Sequence, residues 1–203
     1  MTAVTPHQTP APAVVDLSIA DLRYRLHDAL SVYVAAMRYP RGTEHHRAPM
    51  WTEHTTRAGW QAVAALLPDD NGHADPRTSQ MLGIAYGYHG APNQWWHQQV
   101  HFGMRRCGWP AQSAYELLSN YFELTELHVH PSAQGLGIGQ TLLRRLLAGR
   151  EEKAVLLSTP EVPGEENRAW RLYRREGFDD VIRNFEFIGD SRPFAILGRR
   201  LPL

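Results

Sequence analysis

A glycine-rich turn at residues 134–140 is the part of the sequence whose residue types first suggest chemistry. It reads Q-G-L-G-I-G-Q and follows a short apolar run that stops at Pro131. Ile138, Leu142 and Leu146 then recur at helical spacing, which predicts a helix that begins inside the turn. Glycines let a ligand approach the backbone closely, and the unpaired N–H groups at the start of a helix attract anions. The turn is therefore a candidate site for a pyrophosphate group.

Three phosphate-binding patterns can be compared with this turn by their spacing. A P-loop requires a lysine after its last glycine, where this chain has Gln140. A dinucleotide fingerprint that starts at Gly135 and Gly137 meets the same Gln140 where a small residue belongs. A third pattern, Q/R-x-x-G-x-G/A, is filled by Gln134, Gly137 and Gly139. A glycine loop that only caps a helix is the simpler interpretation, so the choice depends on the rest of the chain.

The composition indicates a globular protein without a dominant charge. The chain has 203 residues, 43% hydrophobic and 21% charged, which suits one well-buried core. Basic and acidic residues both number 21, so neither nucleic acid nor a membrane surface is expected as a partner. Cys107 is the single cysteine, which excludes an intramolecular disulfide and fits a cytoplasmic location. No apolar run approaches the roughly 20 residues of a membrane span.

The elements before the turn are predicted from periodicity and from turn residues. Residues 1–13 lack the features of a signal peptide and are expected to form a flexible tail, with a single domain over residues 14–203. A capping box at Ser18 opens one amphipathic helix over residues 19–37. The remaining predictions are a weak helix at 50–57, a hairpin of strands 60–67 and 81–89, and an aromatic-rich helical insertion at 90–120 with helices at 94–106 and 111–118.

The elements after the insertion alternate between strands and helices. A strand at 121–130 precedes the glycine turn and its helix. The predicted elements that follow are a strand at 153–158, a helix at 165–176 and strands at about 181–188 and 194–200.

A second stretch joins the glycine turn in a resemblance to a known family. Residues 167–178 read N-R-A-W-R-L-Y-R-R-E-G-F. This spacing is similar to a signature of the GNAT N-acetyltransferase superfamily, and Q/R-x-x-G-x-G/A is that family's acetyl-CoA pyrophosphate motif. The resemblance implies an α/β (α+β) fold with a mixed, mostly antiparallel sheet of about six to seven strands. That sheet is splayed in the middle and flanked by helices, with the insertion placed before the cofactor strand.

The resemblance implies transfer of the acetyl group of acetyl-CoA to a primary amine by direct attack in a ternary complex. Asn167 is expected to bind the pantetheine arm and Tyr173 to protonate the leaving thiolate. A helix-capping role for Asn167 and a core position for Tyr173 are the alternatives. The cofactor-binding residues that the resemblance implies are Leu127, His128, Val129, Gln134, Gly135, Leu136, Gly137, Ile138, Gly139, Gln140, Asn167 and Tyr173.

The general base is expected to be a carboxylate of the strand at 121–130. Regular alternation puts Glu123 and Glu126 on opposite faces, whereas a bulge, common in this strand of the family, would change that parity. Glu126 is favoured because it is expected nearer the splay, and Glu123 is the alternative. His128 and His130 share a face of a regular strand, but no third ligand lies nearby, so no metal is predicted.

The acceptor is not specified by these motifs. Trp95 and Trp96 are placed where they would wall its site, unless the insertion only packs on its own hydrophobic cluster. A small-molecule amine and a protein lysine both fit the predicted chemistry, and a monomer and a homodimer are both compatible with the sequence. A non-catalytic acyl-CoA-binding or sensing module of the same fold is the alternative function.

Overall fold

A sheet of seven strands forms the frame of the protein. In the computed structural model, which describes residues 11–203, the strands are β1 (Ala13–Leu17), β2 (Gln61–Leu66), β3 (Met81–His89), β4 (Tyr121–Val129), β5 (Ala154–Pro160), β6 (Asp179–Glu186) and β7 (Pro193–Arg200). Their order across the sheet is β1-β2-β3-β4-β5-β7-β6. Only β4 and β5 pair in parallel, and the other neighbours are antiparallel. The predicted fold class is confirmed, as is the hairpin of β2 and β3.

Seven α-helices within residues 11–203 cover both faces of this sheet. They are α1 (Ile19–Tyr24), α2 (Leu26–Met37), α3 (Thr43–His54), α4 (Trp95–Arg106), α5 (Ala111–Leu118), α6 (Ile138–Leu147) and α7 (Arg168–Arg175). Helices α2 and α3 pack on one face of the N-terminal half-sheet, and α4 and α5 cover the same face of the C-terminal half. Helices α6 and α7 pack on the opposite face. None of the helices described over residues 11–203 has the length and apolar character needed to cross a bilayer.

The prediction of one long helix over residues 19–37 is wrong, because Arg25 interrupts it and separates α1 from α2. The Arg25 side chain is buried and donates to the carbonyl oxygens of Pro76 and Ser79, at 2.8 and 2.9 Å. This polar anchor to a distant loop has no signature in hydrophobic periodicity. The predicted capping box is confirmed, since the Asp21 N–H donates to Ser18 Oγ at 3.1 Å.

The bounds of three other predicted segments also differ. Helix α3 starts at Thr43, continues through Pro49 and ends at His54, whereas the sequence predicts a helix over residues 50–57. Helix α7 is shorter than predicted because a 3-10 turn at Pro163–Glu165 precedes it. Residues 1–10 of the predicted tail lie outside the described residues, and β1 begins at Ala13.

A bulge in β4 changes which side chains share a face. Tyr86 of β3 lies opposite Glu126, but the next residue, Gly87, lies opposite Leu124, so Thr125 is an extra residue on β4. Gly87 allows the two strands to stay close there. A Cβ atom at Gly87 would lie 2.1 Å from the carbonyl oxygen of Glu123. The absence of a side chain at Gly87 is therefore a condition for this bulge.

We expect Gly87→Ala to destabilise the fold by about 3 kcal/mol, since the contact is with backbone that cannot rotate away. Urea unfolding followed by far-ultraviolet circular dichroism measures this change. Gly139→Ala is the matched control, because its Cβ would meet its nearest neighbour, a Leu172 methyl group, at an ordinary 3.4 Å. An unchanged unfolding midpoint for Gly87→Ala would contradict the close approach at the bulge.

Candidate active site

The glycine turn presents a row of free backbone donors. Gly135 and Gly137 adopt positive φ angles of 88° and 78°, and Gly137 caps the N-terminus of α6. The N–H groups from Gly135 to Gly139 donate to no acceptor within residues 11–203. A Cβ atom at Gly135 or Gly137 would meet nothing within 4 Å, so the turn is open on its outer side. With the positive end of the helix dipole, these donors fit a diphosphate.

Side chains around the turn fasten it to the neighbouring elements. Gln134 Nε2 donates to the carbonyl oxygen of Val129 at 3.0 Å, which ties the turn to the end of β4. Arg168 Nη1 donates to Gln134 Oε1 at 3.0 Å, so a guanidinium group from α7 stands beside the expected anion. Sequence reasoning did not identify Arg168 as a site residue, because the signature at residues 167–178 requires no particular residue type at that position. Gln140 does not reach outward, since its Nε2 donates to Glu176 Oε1 at 2.5 Å.

Strands β4 and β5 separate shortly after they begin to pair. Their parallel register covers only Tyr121 to Glu123 on β4, opposite Ala154 to Leu156 on β5. Residues 124–129 of β4 continue to pair with β3 on their other side. The β5-facing edge of that segment is thus a row of peptide groups without a strand partner, and it leads to the glycine turn. This geometry suits an extended ligand arm that contains amide groups.

The bulge at Thr125 brings the two candidate carboxylates to one face. Phe122 and Leu124 point to the α6 side, whereas Glu123 contacts Tyr88 on the opposite, α3 side. Beyond the bulge, Leu127 again packs on the α6 side, which leaves Glu126 on the side of Glu123. The expectation that Glu126 lies nearer the splay is wrong, because the β4–β5 register ends at Glu123.

Glu123 is a buried carboxyl group with one oxygen unpaired. Its residue is 3% exposed, Oε1 accepts a hydrogen bond from the Tyr88 hydroxyl at 3.0 Å, and Oε2 has no partner among residues 11–203. Burial raises the pKa of Glu123 to about 7, although Tyr88 and the Arg57 guanidinium favour its ionised form. A carboxyl group with a pKa near neutrality is suited to proton transfer.

Glu126 and His128 form a separate pair on the same face. His128 Nε2 lies 2.5 Å from Glu126 Oε2, and the His128 ring packs against Tyr33 of α2 at 4.9 Å between centroids. His130 lies beyond the end of β4, where its Nδ1 is 2.7 Å from Ser132 Oγ. In the part of the chain that the structure describes, no three His, Cys, Asp or Glu side chains converge to hold a metal ion.

Tyr173 lies on α7 and Asn167 at its N-cap, on the far side of the opening from these acids. Tyr173 is buried against Phe178, and its hydroxyl has no hydrogen-bond partner among the described side chains. Burial, together with the Glu126 carboxylate, raises the pKa of Tyr173 above its usual value, so the phenol stays protonated. Asn167 caps α7, since its Oδ1 accepts from the Trp170 N–H at 2.9 Å. The Asn167 amide nitrogen stays available as a donor.

The two tryptophans of the insertion occupy different environments. Trp96 is buried, and its Nε1 donates to Ser158 Oγ on the separated half of β5 at 3.3 Å. Trp95 is 51% exposed and stacks on Phe187, which follows β6, at 5.4 Å between centroids. Trp95 is therefore accessible for the predicted contact with substrate, whereas Trp96 belongs to the core under the insertion.

Comparisons with known proteins agree with this geometry. The family model described as "Acetyltransferase (GNAT) domain" matches residues 95–180, which include the insertion, β4, the glycine turn and α7. The GCN5-like protein acetyltransferase Rv2170 of Mycobacterium tuberculosis is 58% identical over 205 residues, covering 94% of this chain and 98% of the relative. The chain belongs to the GNAT acetyltransferase family. This acetyltransferase is therefore an acyltransferase enzyme, as its two sequence motifs indicated.

Solved GNAT structures share the fold of this acetyltransferase. The GNAT-family acetyltransferase of Bacillus cereus superposes with a TM-score of 0.56 at 15% identity, covering 96% of this chain and 100% of that one. The PaiA N-acetyltransferase of Thermoplasma acidophilum, in complex with coenzyme A, gives 0.55 at 14% identity, covering 95% and 100%. At these identities the likeness concerns the fold.

We expect Gly137→Asp to weaken binding of coenzyme A by at least about tenfold, because it sets a negative charge against the diphosphate. Isothermal titration of the purified protein with coenzyme A measures the dissociation constant. Gly137→Asn is the matched control, since asparagine tolerates the same left-handed backbone without the charge. Equal affinity of the Asp and Asn variants would contradict an anion site at this turn.

Proposed function

We propose that this acetyltransferase transfers the acetyl group of acetyl-CoA to the side-chain amine of a lysine in a protein. The opening between β4 and β5 is the observation on which the proposal rests. It joins a free strand edge, suited to the pantetheine amides, to a turn of free N–H groups, suited to the diphosphate. The PaiA structure, which shares this fold, is a complex with coenzyme A, and this supports acetyl-CoA as the co-substrate. When bound, acetyl-CoA would supply the thioester.

A cationic acceptor is supported by the charge of the face opposite α6. Glu123 and Glu126 both lie there, and a lysine ammonium is attracted to such a pair. Trp95 and Ile188, 51% and 76% exposed, lie on the surface where a larger acceptor would rest. The mycobacterial relative is named a protein acetyltransferase, which supports a protein acceptor over a small-molecule amine.

The proposed reaction assigns one proton transfer to each side of the opening. A lysine ammonium, with a usual pKa of about 10.4, must lose a proton before its nitrogen can attack the thioester carbon. A carboxylate of β4 accepts this proton through a water molecule. The N–C bond forms, the C–S bond breaks, and the Tyr173 hydroxyl donates its proton to the leaving thiolate. The second proton of the attacking nitrogen leaves through water and restores the Tyr173 hydroxyl, so that a neutral amide and a free thiol are formed. Asn167 donates to the pantetheine arm, and Arg168 interacts with the diphosphate.

Glu123 is our candidate for the base, and Glu126 is the alternative. Glu126 already interacts with His128 at 2.5 Å, whereas Glu123 Oε2 has no partner among the described residues. Glu123 is also the residue at which β4 and β5 part, and its pKa of about 7 leaves a large ionised fraction at neutral pH. We assign Glu126 and His128 to binding of the acceptor ammonium.

A peptide assay tests the proposed function. A lysine-containing peptide with a blocked N-terminus is incubated with acetyl-CoA, and thiol release is followed with a chromogenic disulfide. We expect release above the hydrolysis rate, with acetylation of the lysine seen by mass spectrometry. The same peptide carrying Nε-acetyl-lysine is the control. Turnover only with small amines would reject the protein acceptor, and coenzyme A binding without any turnover would favour the non-catalytic alternative.

We expect Tyr173→Phe to lower kcat by about 100-fold at saturating peptide, because no group then donates a proton to the thiolate. The affinity for coenzyme A should change by less than about twofold, since the ring and its packing remain. Steady-state kinetics and titration calorimetry measure the two effects. Tyr115→Phe, at a tyrosine that is 68% exposed on α5, is the control. An unchanged kcat for Tyr173→Phe would remove Tyr173 from the acid role.

A further inference from the structure

Three side chains from separate parts of the chain meet behind the proposed base. Arg57, in the link between α3 and β2, donates from Nη1 to the Tyr88 hydroxyl at 2.5 Å. Tyr88, on β3, donates in turn to Glu123 Oε1 on β4 at 3.0 Å. Glu53 holds the same guanidinium from α3, at 3.1 Å from Nη2. No motif in the sequence singled out Arg57 or Tyr88.

The direction of these hydrogen bonds is fixed by chemistry. A guanidinium group can only donate, so the Tyr88 oxygen accepts from Arg57. The single proton of the Tyr88 hydroxyl must then go to Glu123. Oε1 of Glu123 is consequently occupied as an acceptor, and Oε2 is the oxygen left to take up a proton. The arrangement distinguishes the two oxygens of one carboxyl group.

A purely structural role does not account for this arrangement. Tyr88 is 1% exposed and Glu123 3%, and a buried carboxylate with an orphan oxygen is destabilising on its own. A glutamine in place of Glu123 would fill the same volume without a buried charge. The guanidinium group of Arg57 lies 4.5 Å from the Tyr88 ring centroid. Its positive charge compensates the negative charge of Glu123, which the fold itself does not require.

We propose that Tyr88 and Arg57 are positioning residues of the acetyl transfer, which hold Glu123 by Oε1 and reserve Oε2 for the proton leaving the amine. This inference rests on the proposed function and on Glu123 as its base. Tyr88 and Arg57 touch neither substrate. They act by keeping the Glu123 carboxylate ionised and in one orientation at the point where β4 and β5 part.

The groups that face Glu123 determine how its ionisation responds to each substitution. Tyr88, Arg57 and the Thr125 hydroxyl favour the carboxylate, whereas burial and the nearby charge of Glu126 oppose it. Tyr121 on β4 and Tyr86 on β3 are neutral phenols whose pKa values are raised by burial. Removal of Tyr88 or Arg57 takes away one of the influences that oppose burial and the charge of Glu126, so a higher pH is required to ionise Glu123.

Tyr88→Phe tests the proposal through the pH dependence of kcat/KM. The wild-type enzyme should lose activity as the pH falls through about 7, where Glu123 takes up a proton. We expect this acidic limb to move upward by about one pH unit in Tyr88→Phe, because a hydrogen bond to a charged group is lost. The activity at high pH should be largely recovered. One peptide is used throughout, so that the acceptor's own titration is shared by all variants.

Tyr86→Phe is the matched control for the loss of a buried hydroxyl. Tyr86 lies two residues away on the same face of β3, but its hydroxyl lies 3.0 Å from His54 Nδ1 and forms no hydrogen bond with a carboxylate of residues 11–203. The acidic limb of the kcat/KM profile of Tyr86→Phe should stay at the wild-type position. A loss of activity at every pH in Tyr88→Phe, without movement of the limb, would indicate a structural role and overturn the proposal.

Arg57 is tested by a pair of substitutions that separate charge from shape. Arg57→Met should move the limb in the same direction as Tyr88→Phe, and Arg57→Lys should restore part of the shift because the cation remains. An unmoved limb in Arg57→Met would remove Arg57 from the proposal, and circular dichroism checks that each variant is folded.

A last variant separates this inference from the proposed function. In Glu123→Gln the wild-type limb near pH 7 should disappear, with a large loss of kcat. A limb retained in Glu123→Gln would reject Glu123 as the base, and with it the positioning roles of Tyr88 and Arg57. Acetylation of the lysine peptide by the wild-type enzyme would still support the proposed function in that case.

Discussion

The early parting of β4 from β5 is the constraint on which the whole site depends. Two parallel strands that paired along their full length would consume the peptide groups of residues 124–129. Because the register ends at Glu123, these groups form a free edge along the half-buried part of β4, and peptide groups shielded from water require hydrogen-bond partners. An amide-containing ligand arm satisfies that requirement. The glycine turn extends the same edge, so the proposed sites for the arm and for the diphosphate both depend on one irregularity of the sheet.

The carboxyl group of Glu123, where β4 and β5 part, lowers the stability of the fold when it is ionised. Folding raises the pKa of Glu123 from 4.5 to about 7, so the folded state binds the proton more tightly than the unfolded chain. The contribution of protonated Glu123 to the free energy of unfolding is fully present below about pH 4.5 and is lost as the pH rises through 7. At neutral pH the protein thus carries a partly ionised buried acid at a cost in stability, as expected for a group retained for chemistry.

Sequence patterns predicted what depends on neighbours along the chain and missed what depends on distant contacts. The stripe of α6, the helices of the insertion and the turn at residues 134–140 follow from local spacing. The break at Arg25 depends on a carbonyl group 51 residues away, and the link from Arg57 to Tyr88 spans 31 residues. The bulge at Thr125 was anticipated only through the family resemblance, because its position depends on Gly87 in the partner strand.

Side-chain contacts hold the opening between β4 and β5 at both of its ends. At its closed end Tyr121 packs under Trp96 of the insertion, and its hydroxyl lies 3.3 Å from His97 Nδ1. At its open end Gln134 links the carbonyl oxygen of Val129 to the guanidinium group of α7. A cleft supported in this way keeps its width before any ligand binds. Since misplacement by about 1 Å can cost 100-fold in rate, we infer that the insertion serves the proposed reaction by supporting β4, whether or not it touches the acceptor.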